Sequence, residues 1–228
     1  MPELTYAIGD IHGRLDLLQR ALARIEHHAE GKTHRIISLG DLVDRGPESR
    51  AVVDLMMRLT DADRVICLKG NHEDMMLRAL RERGQALYYW TDYGGTATLD
   101  SYGWDGVPQS HIDWLEALPL YWQDRTHLYV HAGVLPDTPV ADQDARSLLW
   151  IRERFLEAPA DSLPCHVVHG HTPIWAGKPE MSRPELLAHR TNLDTGAYAT
   201  GVLTVGVFDG DCAGGPVEVM GVSLNNEG

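Results

Sequence analysis

Short apolar runs alternate with stretches of helical periodicity over the first eighty residues of the chain. Three runs of about five residues predict buried strands, and they are LTYAI (4–8), RIISL (35–39) and RVICL (64–68). After the first run, Leu15, Leu18 and Leu22 recur at helical spacing, and similar apolar spacing follows the other two runs. This repeated strand–loop–helix order predicts an α/β fold whose first strands pair in parallel.

The second half of the chain contains further strand signals. The runs HLYV (127–130) and CHVV (165–168) predict two more strands, and residues 201–224 alternate around a Gly/Asp-rich turn, which predicts an antiparallel hairpin. The segment 88–122 is rich in Tyr and Trp; we interpret it as packed structure, with a substrate-cleft wall as the alternative. Because no Gly/Ser-rich linker and no repeat divides the sequence, we predict a single domain over residues 1–228.

Composition and charge exclude several classes of protein. The chain is 43% hydrophobic and 23% charged, which is typical of a globular protein, and its formal net charge of −13 disfavours general nucleic-acid binding. Its three cysteines are far apart, which argues against a disulfide framework or a zinc knuckle. The absence of an evident signal peptide and of a long apolar run predicts a cytoplasmic protein without a membrane partner. The sequence does not indicate an oligomeric state.

Polar side chains follow all five predicted strands, and each group includes at least one that can bind a metal. They are Asp10 and His12; Asp41, Asp44 and Arg45; Asn71 and His72; His131; and His169 and His171. Each group alone has a structural reading, such as a helix cap, a surface ion pair or a core histidine. Because ligands bind beyond the carboxyl ends of strands in open α/β sheets, the five groups together predict one site.

The ligand types limit the metal and the reaction. Aspartate, histidine and asparagine without cysteine favour Mn²⁺, with Fe or Zn²⁺ as alternatives. The ligands suffice for two ions, which one carboxylate would bridge, and such a pair activates a water and stabilises charge on a phosphoryl oxygen. Arg45 adds a planar cation suited to phosphate. The predicted reaction is metal-assisted hydrolysis of phosphate esters.

A set of short motifs carries a family resemblance. The motifs, in chain order, are GDIHG (9–13), GDLVDRG (40–46), GNHE (70–73), HAG (131–133) and GHT (170–172). With them the chain closely resembles the metal-dependent phosphoprotein phosphatases of the calcineurin-like metallophosphoesterase superfamily, and NLDTGAY (192–198) resembles the end of that family's domain. The resemblance implies a four-layer α/β/β/α sandwich, with two mixed β-sheets flanked by helices.

The resemblance also implies a metal-ligand set. The implied ligands are Asp10, His12, Asp41, Asn71, His131 and His171. Asp10 and His12 would bind the first ion, Asp41 would bridge, and the other three would complete the second ion's site. His169 is interpreted as a supporting or structural residue rather than a ligand.

Catalytic and phosphate-binding roles follow from the same resemblance. His72 would be the general acid that protonates the leaving alkoxide, and Asp44 would orient it. Arg45 and Asn71 would contact the phosphate. A second phosphate-binding arginine is expected within LLWIRERF (148–155), where Arg152 is chosen over Arg154.

The rest of the GNHED stretch (70–74) is interpreted as local structure. Gly70 would allow a sharp turn off the third strand, and Glu73 and Asp74 would begin the next helix, where acidic residues complement the helix dipole.

The motifs also favour one substrate class over others. Diadenosine tetraphosphate hydrolases resemble this framework, but typically carry GNHD and an alanine at the position of Asp44. The DRG and NHE of this chain therefore favour a bacterial-type protein serine/threonine phosphatase, acting on phosphoproteins or small phosphoesters. The alternatives are a bis(5'-nucleosyl)-tetraphosphatase, a catalytically silent phosphoprotein-binding module, and a nucleic-acid phosphodiesterase.

Overall fold

Two five-stranded sheets form the centre of the protein in a computed structural model, which describes residues 4–173 and 183–225 and, at Trp104, the backbone alone. The strands are β1 (Leu4–Ile8), β2 (His34–Ser38), β3 (Val65–Cys67), β4 (Tyr121–Gln123), β5 (His127–Val130), β6 (His166–His169), β7 (Glu185–Leu186), β8 (Arg190–Asn192), β9 (Val202–Asp209) and β10 (Glu218–Ser223). The first sheet has the order β10-β9-β1-β2-β3 and the second has the order β4-β5-β6-β8-β7. The five predicted strands are present within one residue of their predicted ends, and so is the C-terminal hairpin.

Both sheets are mixed, as predicted. In the first sheet β1, β2 and β3 pair in parallel, whereas β9 runs antiparallel to β1 and to β10. In the second sheet β5, β6 and β8 pair in parallel, and β4 and β7 are antiparallel edge strands. The parallel strands of each sheet therefore end on the same side, where a site can form.

Helices cover the outer face of each sheet. They are α1 (Leu15–Ala29), α2 (Ser49–Asp61), α3 (Asn71–Glu82), α4 (Gly84–Trp90), α5 (Thr96–Tyr102), α6 (Gln109–Ala117), α7 (Ala145–Trp150), α8 (Glu153–Leu156) and α9 (Ala197–Thr200). A π-helical turn over Thr91–Gly95 joins α4 to α5. No helix in the described ranges combines the length and the apolar character needed to cross a bilayer.

The alternation of side chains along the strands builds the four layers. In β1, Tyr6 and Ile8 face the helices on the first sheet, whereas Ala7 faces the second sheet. Phe208 of β9 lies between the sheets, with its ring centroid 5.7 Å from that of Tyr129 in β5. Leu128 of β5 points the other way, into the core shared with α7 and α8. The structure confirms the predicted α/β/β/α sandwich.

The aromatic-rich segment divides between core and surface. Trp90 and Tyr102 are buried, and Tyr88 and Tyr89 are exposed. Trp90 and Tyr102 therefore agree with the interpretation as packed structure. The alternative of a cleft wall applies to Tyr88 and Tyr89.

Candidate metal centre

The predicted ligands meet at the edge where the parallel strands end. Asp10 follows β1 by two residues, Asp41 follows β2 by three, and His131 comes directly after β5. All six predicted ligands are at most 5% exposed, and they are Asp10, His12, Asp41, Asn71, His131 and His171. Buried groups of this kind need charge partners or a metal, because the removal of a carboxylate from water is costly.

Asp41 is shared by two clusters of potential ligand atoms. One cluster contains Asp41, His12 and His72, and the other contains Asp41, Asp10 and His131. Oδ2 of Asp41 lies 3.5 Å from Nε2 of His12, and Oδ1 lies 3.4 Å from Nε2 of His131. Its two oxygens therefore face different clusters, which suits the predicted role as a bridge.

The side-chain oxygen of Asn71 lies close to one ring nitrogen of each of two histidines. Its Oδ1 lies 2.8 Å from Nε2 of His131 and 2.8 Å from Nδ1 of His171. Nδ1 of His131 donates to the carbonyl of Leu39, so Nε2 of the neutral ring presents a lone pair. Neighbouring ligands at about 2.1 Å from one octahedral ion lie about 3 Å apart. The spacing and the donor set therefore fit a divalent cation.

Two further ring nitrogens belong to the surroundings of the centre. Nε2 of His171 is buried and has no hydrogen-bond partner among the described residues, whereas Nδ1 of the same ring is the atom that approaches Asn71. On the other side of Asp41, Nδ1 of His12 donates to the carbonyl of Val43, so the lone pair that could bind a metal lies on Nε2, where it accepts a hydrogen bond from Nη1 of Arg45. Nη1 of Arg45 lies 2.7 Å from that Nε2, so the guanidinium reaches the edge of the centre.

Several site residues have left-handed backbone conformations. They are His12 (φ 46°), Asp41 (φ 50°), Asp44 (φ 73°), Arg45 (φ 68°) and His171 (φ 67°). This region is costly for residues other than glycine, and such strain persists only where surrounding contacts hold it. The turns after the strands thus direct these side chains inward at the expense of backbone energy.

Gly70 and Gly170 are required by close approach to aspartates. A Cβ on Gly70 would lie 2.2 Å from Oδ1 of Asp41, and one on Gly170 would lie 2.0 Å from Oδ1 of Asp10. The prediction of a sharp turn at Gly70 was wrong, because its backbone is extended (φ −99°, ψ 173°), a conformation that any residue adopts. The reason for glycine there is steric.

Glu73 fixes the loop that carries Asp41. Glu73 is completely buried. It lies in the first turn of α3, as predicted, but its carboxylate also accepts hydrogen bonds from the backbone N–H groups of Asp41 (2.9 Å), Leu42 (2.8 Å) and Gly70 (2.7 Å). Burial and the charge of Asp41 raise the pKa of Glu73 to about 7. The helix-start interpretation was therefore incomplete for Glu73.

His72 is held by a completely buried aspartate. Its Nδ1 lies 2.7 Å from Oδ2 of Asp44. Nε1 of Trp90 donates to both oxygens of Asp44, at 2.9 and 3.0 Å, and the hydroxyl of Thr98 donates to Oδ1 at 2.6 Å. Asp44 therefore holds the ring of His72 so that Nε2 is its remaining free nitrogen, and the sequence did not indicate Trp90 or Thr98.

The histidines divide into two electrostatic classes. Burial is the largest cause that lowers the pKa in each of His12, His131 and His171, which favours the neutral imidazole that a metal needs. Burial alone would also lower the pKa of His72. The charge of Asp41 and the hydrogen bond that His72 donates to Asp44 outweigh burial and raise that pKa, which suits a proton donor.

The two arginines considered for the phosphate lie in different places. Nη1 of Arg152 donates to the hydroxyl of Thr172, the residue after His171, at 2.9 Å. The charge of Arg152 also contributes to the lowered pKa of His171. Arg154 lines a groove beside the centre instead. This geometry supports the choice of Arg152, whose role stays a prediction.

His169 lies away from the ligand atoms. Its Nδ1 approaches the carbonyl oxygen of Gly170 at 3.0 Å, and its ring packs edge-on against Phe155. Burial and the charge of Arg190 lower the pKa of His169 to about 3. These contacts agree with its interpretation as a structural residue.

Asp194 is a further buried carboxylate at the same edge. It follows the short strand β8, and it is 3% exposed. Its side chain contacts that of Asp10, and burial and the charge of Asp41 raise its pKa to about 6. Asp194 lies two residues after a strand, the same spacing as for Asp10, but the sequence RTN of that strand does not predict it.

The family follows from a match over most of the chain. The model of the calcineurin-like phosphoesterase family matches residues 5–200. The chain belongs to this family. The family depends on dinuclear metal centres and its members hydrolyse phosphoric esters, so this chain is a metal-dependent hydrolase of that class.

The relatives of this chain are named for two different activities. A symmetrical bis(5'-nucleosyl)-tetraphosphatase from Dechloromonas aromatica (strain RCB) is 36% identical over 132 residues, which are 58% of this chain and only 44% of that protein. Serine/threonine-protein phosphatase 1 from Salmonella typhimurium is 27% identical over 206 residues, 88% of this chain and 89% of that protein. The crystal structure of a metallophosphoesterase from Sphaerobacter thermophilus has a TM-score of 0.60 at 20% identity, covers 98% of this chain and 88% of that one, and shows the same fold.

Removal of the indole N–H at Trp90 tests the support of Asp44. We expect Trp90→Phe to lower kcat for an alkyl phosphate about ten- to a hundred-fold, because Asp44 loses a donor and no longer fixes His72. Thr98→Val should act in the same direction. Bound metal, measured by elemental analysis, should not change. Trp114→Phe, at a partly buried tryptophan of α6, is the control, and an equal loss there would contradict the prediction.

A second substitution tests the anchoring of the Asp41 loop. We expect Glu73→Gln to lower the free energy of unfolding by about 2–4 kcal/mol, since the amide directs N–H groups toward backbone donors. Metal content should fall with it. Asp74→Asn, at the next and half-buried residue of the same helix turn, should change the unfolding free energy in urea by less than about 0.5 kcal/mol. Equal effects of the two substitutions would refute the anchoring role.

Proposed function

We propose that this phosphoric-ester hydrolase acts on phosphoserine and phosphothreonine residues of proteins, with Mn²⁺ as the favoured ion at both metal positions. The observation that carries the proposal is the buried pair of His72 and Asp44, 2.7 Å apart. A serine or threonine alkoxide is strongly basic and leaves only when it gains a proton. A nucleotide leaving group is stable as a phosphate anion and needs no such acid. A positioned and protonated imidazole therefore favours alkyl phosphates.

The proposed roles of the side chains follow from their positions. Arg45 and Arg152, with Asn71, would hold the phosphate at the centre, and the guanidinium of Arg45 is kept in place over the ring of Tyr198 at 4.7 Å. His72 would give the proton on Nε2 to the leaving oxygen. Nδ1 of His72 would keep its own proton, in the hydrogen bond that Asp44 accepts. When bound, two divalent ions supply a water of lowered pKa and positive charge for the phosphoryl oxygens.

The relatives support two substrate classes. The likeness to the Salmonella serine/threonine-protein phosphatase extends over nearly the whole of both chains. The likeness to the Dechloromonas tetraphosphatase is higher in identity but covers less than half of that protein. Hydrolysis of bis(5'-nucleosyl) tetraphosphates is therefore the second candidate function.

A direct comparison of substrates tests the proposal. With Mn²⁺ present, we expect kcat/KM for a phosphoserine peptide to exceed that for diadenosine tetraphosphate at least ten-fold, because the positioned acid accelerates departure of the alkoxide and gives no such gain for a nucleotide. Released phosphate and nucleotide products provide the two assays. A strong preference for the dinucleotide would establish the second candidate, and bound ions without turnover of either substrate would indicate a silent binding protein.

The acid itself is tested with two leaving groups. We expect His72→Asn to keep the bound metals and to lower kcat for a phosphoserine peptide about 10²- to 10⁴-fold. The loss should be smaller for p-nitrophenyl phosphate, whose leaving group departs without a proton. His27→Asn, at an exposed histidine of α1, is the control. An unchanged peptide rate in His72→Asn would remove His72 from the mechanism.

A further inference from the structure

A groove of about 1040 Å³ lies beside the metal centre. One wall comes from α3 and α4, with Arg78, Glu82 and Tyr89, and the other comes from α7 and the residues after it, with Arg146, Trp150 and Arg154. The groove contains none of the predicted metal ligands. Its size exceeds what a phosphate group needs, so it can receive the part of a substrate that continues beyond the phosphate.

Trp150 belongs both to the groove and to the surroundings of the metal centre. The ring of Trp150 stands edge-on to the imidazole of His171, with centroids 6.2 Å apart. The carbonyl of Leu148 in α7 accepts a hydrogen bond from the backbone N–H of Ala132 at 2.9 Å, which ties α7 to the turn after His131. A chain bound in the groove would therefore approach a phosphate held at the centre.

The groove is positively charged on a strongly acidic protein. Three arginines and two acids line it, and one of the acids, Glu82, is paired with Arg78 at 3.0 Å. Among the described residues, the exposed guanidinium groups of Arg146 and Arg154 have no ion-pair or hydrogen-bond partner. On a chain with a formal net charge of −13, two unpaired arginines at one groove favour the binding of an anionic ligand there.

The length of the groove limits the number of peptide residues that it can contact. Its α3 wall runs from Asp74 to Glu82, and the eight helical steps between these residues span about 12 Å. An extended peptide advances about 3.3 Å per residue, so about four residues fit along this wall. Arg146 lies four residues before Trp150 on α7, or about 6 Å from it along the helix axis.

We propose that this groove binds the substrate segment next to the phosphorylated residue and selects acidic side chains within about four positions of it, through Arg146 and Arg154. The proposal rests on the protein-phosphatase function proposed above and specifies its substrates as acidic phosphopeptides. Apolar wall residues such as Leu149 and Ile151 would contact the peptide between its charges. The exposed arginines would supply selectivity more than affinity.

A peptide fits the groove better than a polyphosphate chain does. Asp74 and Glu82 stand among the arginines, and they would repel a ligand that carries charge on every unit. A peptide in which acidic and neutral side chains alternate avoids that repulsion. The two ligands therefore give different outcomes in a binding test.

Binding of non-hydrolysable peptides to the Mn²⁺-loaded protein tests the proposal. The probes carry a phosphonate analogue of phosphoserine flanked on each side by four residues, which either alternate glutamate with glutamine (the glutamate peptide) or are all glutamine (the glutamine peptide), and fluorescence anisotropy gives Kd. We expect the glutamate peptide to bind about ten-fold more tightly at low salt, with the difference shrinking as salt screens the exposed charges. Arg146→Gln and Arg154→Gln should each reduce that preference about three- to five-fold. The Kd of the glutamine peptide should stay within about two-fold.

The control is Arg125→Gln, which removes the same charge at an exposed arginine outside the groove. No preference in the wild-type protein, or an equal effect of Arg125→Gln, would overturn the proposal. So would a non-hydrolysable diadenosine tetraphosphate analogue whose binding depends on Arg146 and Arg154 while peptide binding does not. A different outcome would separate the two proposals. If Kd for the phosphonate peptides depends on charge but the matching phosphoserine peptides are not hydrolysed, the proposal for the groove stands and the protein-phosphatase function is refuted.

Discussion

The buried negative charge of Asp41 is the constraint on which the rest of the site depends. Burial alone would raise the pKa of Asp41, whereas positive charge on the surrounding side chains of His131, His72 and His12 outweighs burial and lowers that pKa. The backbone N–H of His72 donates to Oδ1 of Asp41 at 3.0 Å, and the carboxylate of Glu73 accepts a hydrogen bond from the backbone N–H of Asp41. A carboxylate removed from water in this way is stable only with such compensation. The geometry of both ligand clusters therefore depends on one side chain and on the loop that presents it.

The same charge helps to divide the histidines by role. Nδ1 of His12 and Nδ1 of His131 bond to backbone carbonyls rather than to a carboxylate, and these imidazoles stay neutral because burial is the larger effect. His72 faces Asp41 and is also bonded to Asp44, and the second carboxylate changes the balance in favour of the proton. Asp44 in turn stays available because Trp90 and Thr98 satisfy its oxygens. One residue type thus serves as ligand and as acid through differences in its immediate hydrogen bonds.

The sequence predicted those parts of the site that local patterns encode. Each long apolar strand is followed by its polar residues, so the pattern alone locates Asp10, Asp41 and His131 at one edge. The support of Asp44 was not predictable, because Trp90 is 46 residues away and arrives through an irregular aromatic segment. Asp194 was missed since β8 has the sequence RTN, which lacks an apolar signal. The steric need for Gly70 depends on the approach of a neighbouring loop and appears only in three dimensions.

The two sheets contribute to the centre from opposite sides of the inter-sheet core. Asn71 follows a strand of the first sheet, and the two histidines that approach its oxygen follow strands of the second. Ions held by these residues bind only the state in which the sheets are docked, and they favour that state by mass action. At a free-ion concentration a hundred times Kd, this linkage contributes about 2.7 kcal/mol per site. Loss of metal would therefore loosen the packing between the layers as well as remove the chemistry, so that the supply of metal also governs the lifetime of the folded protein.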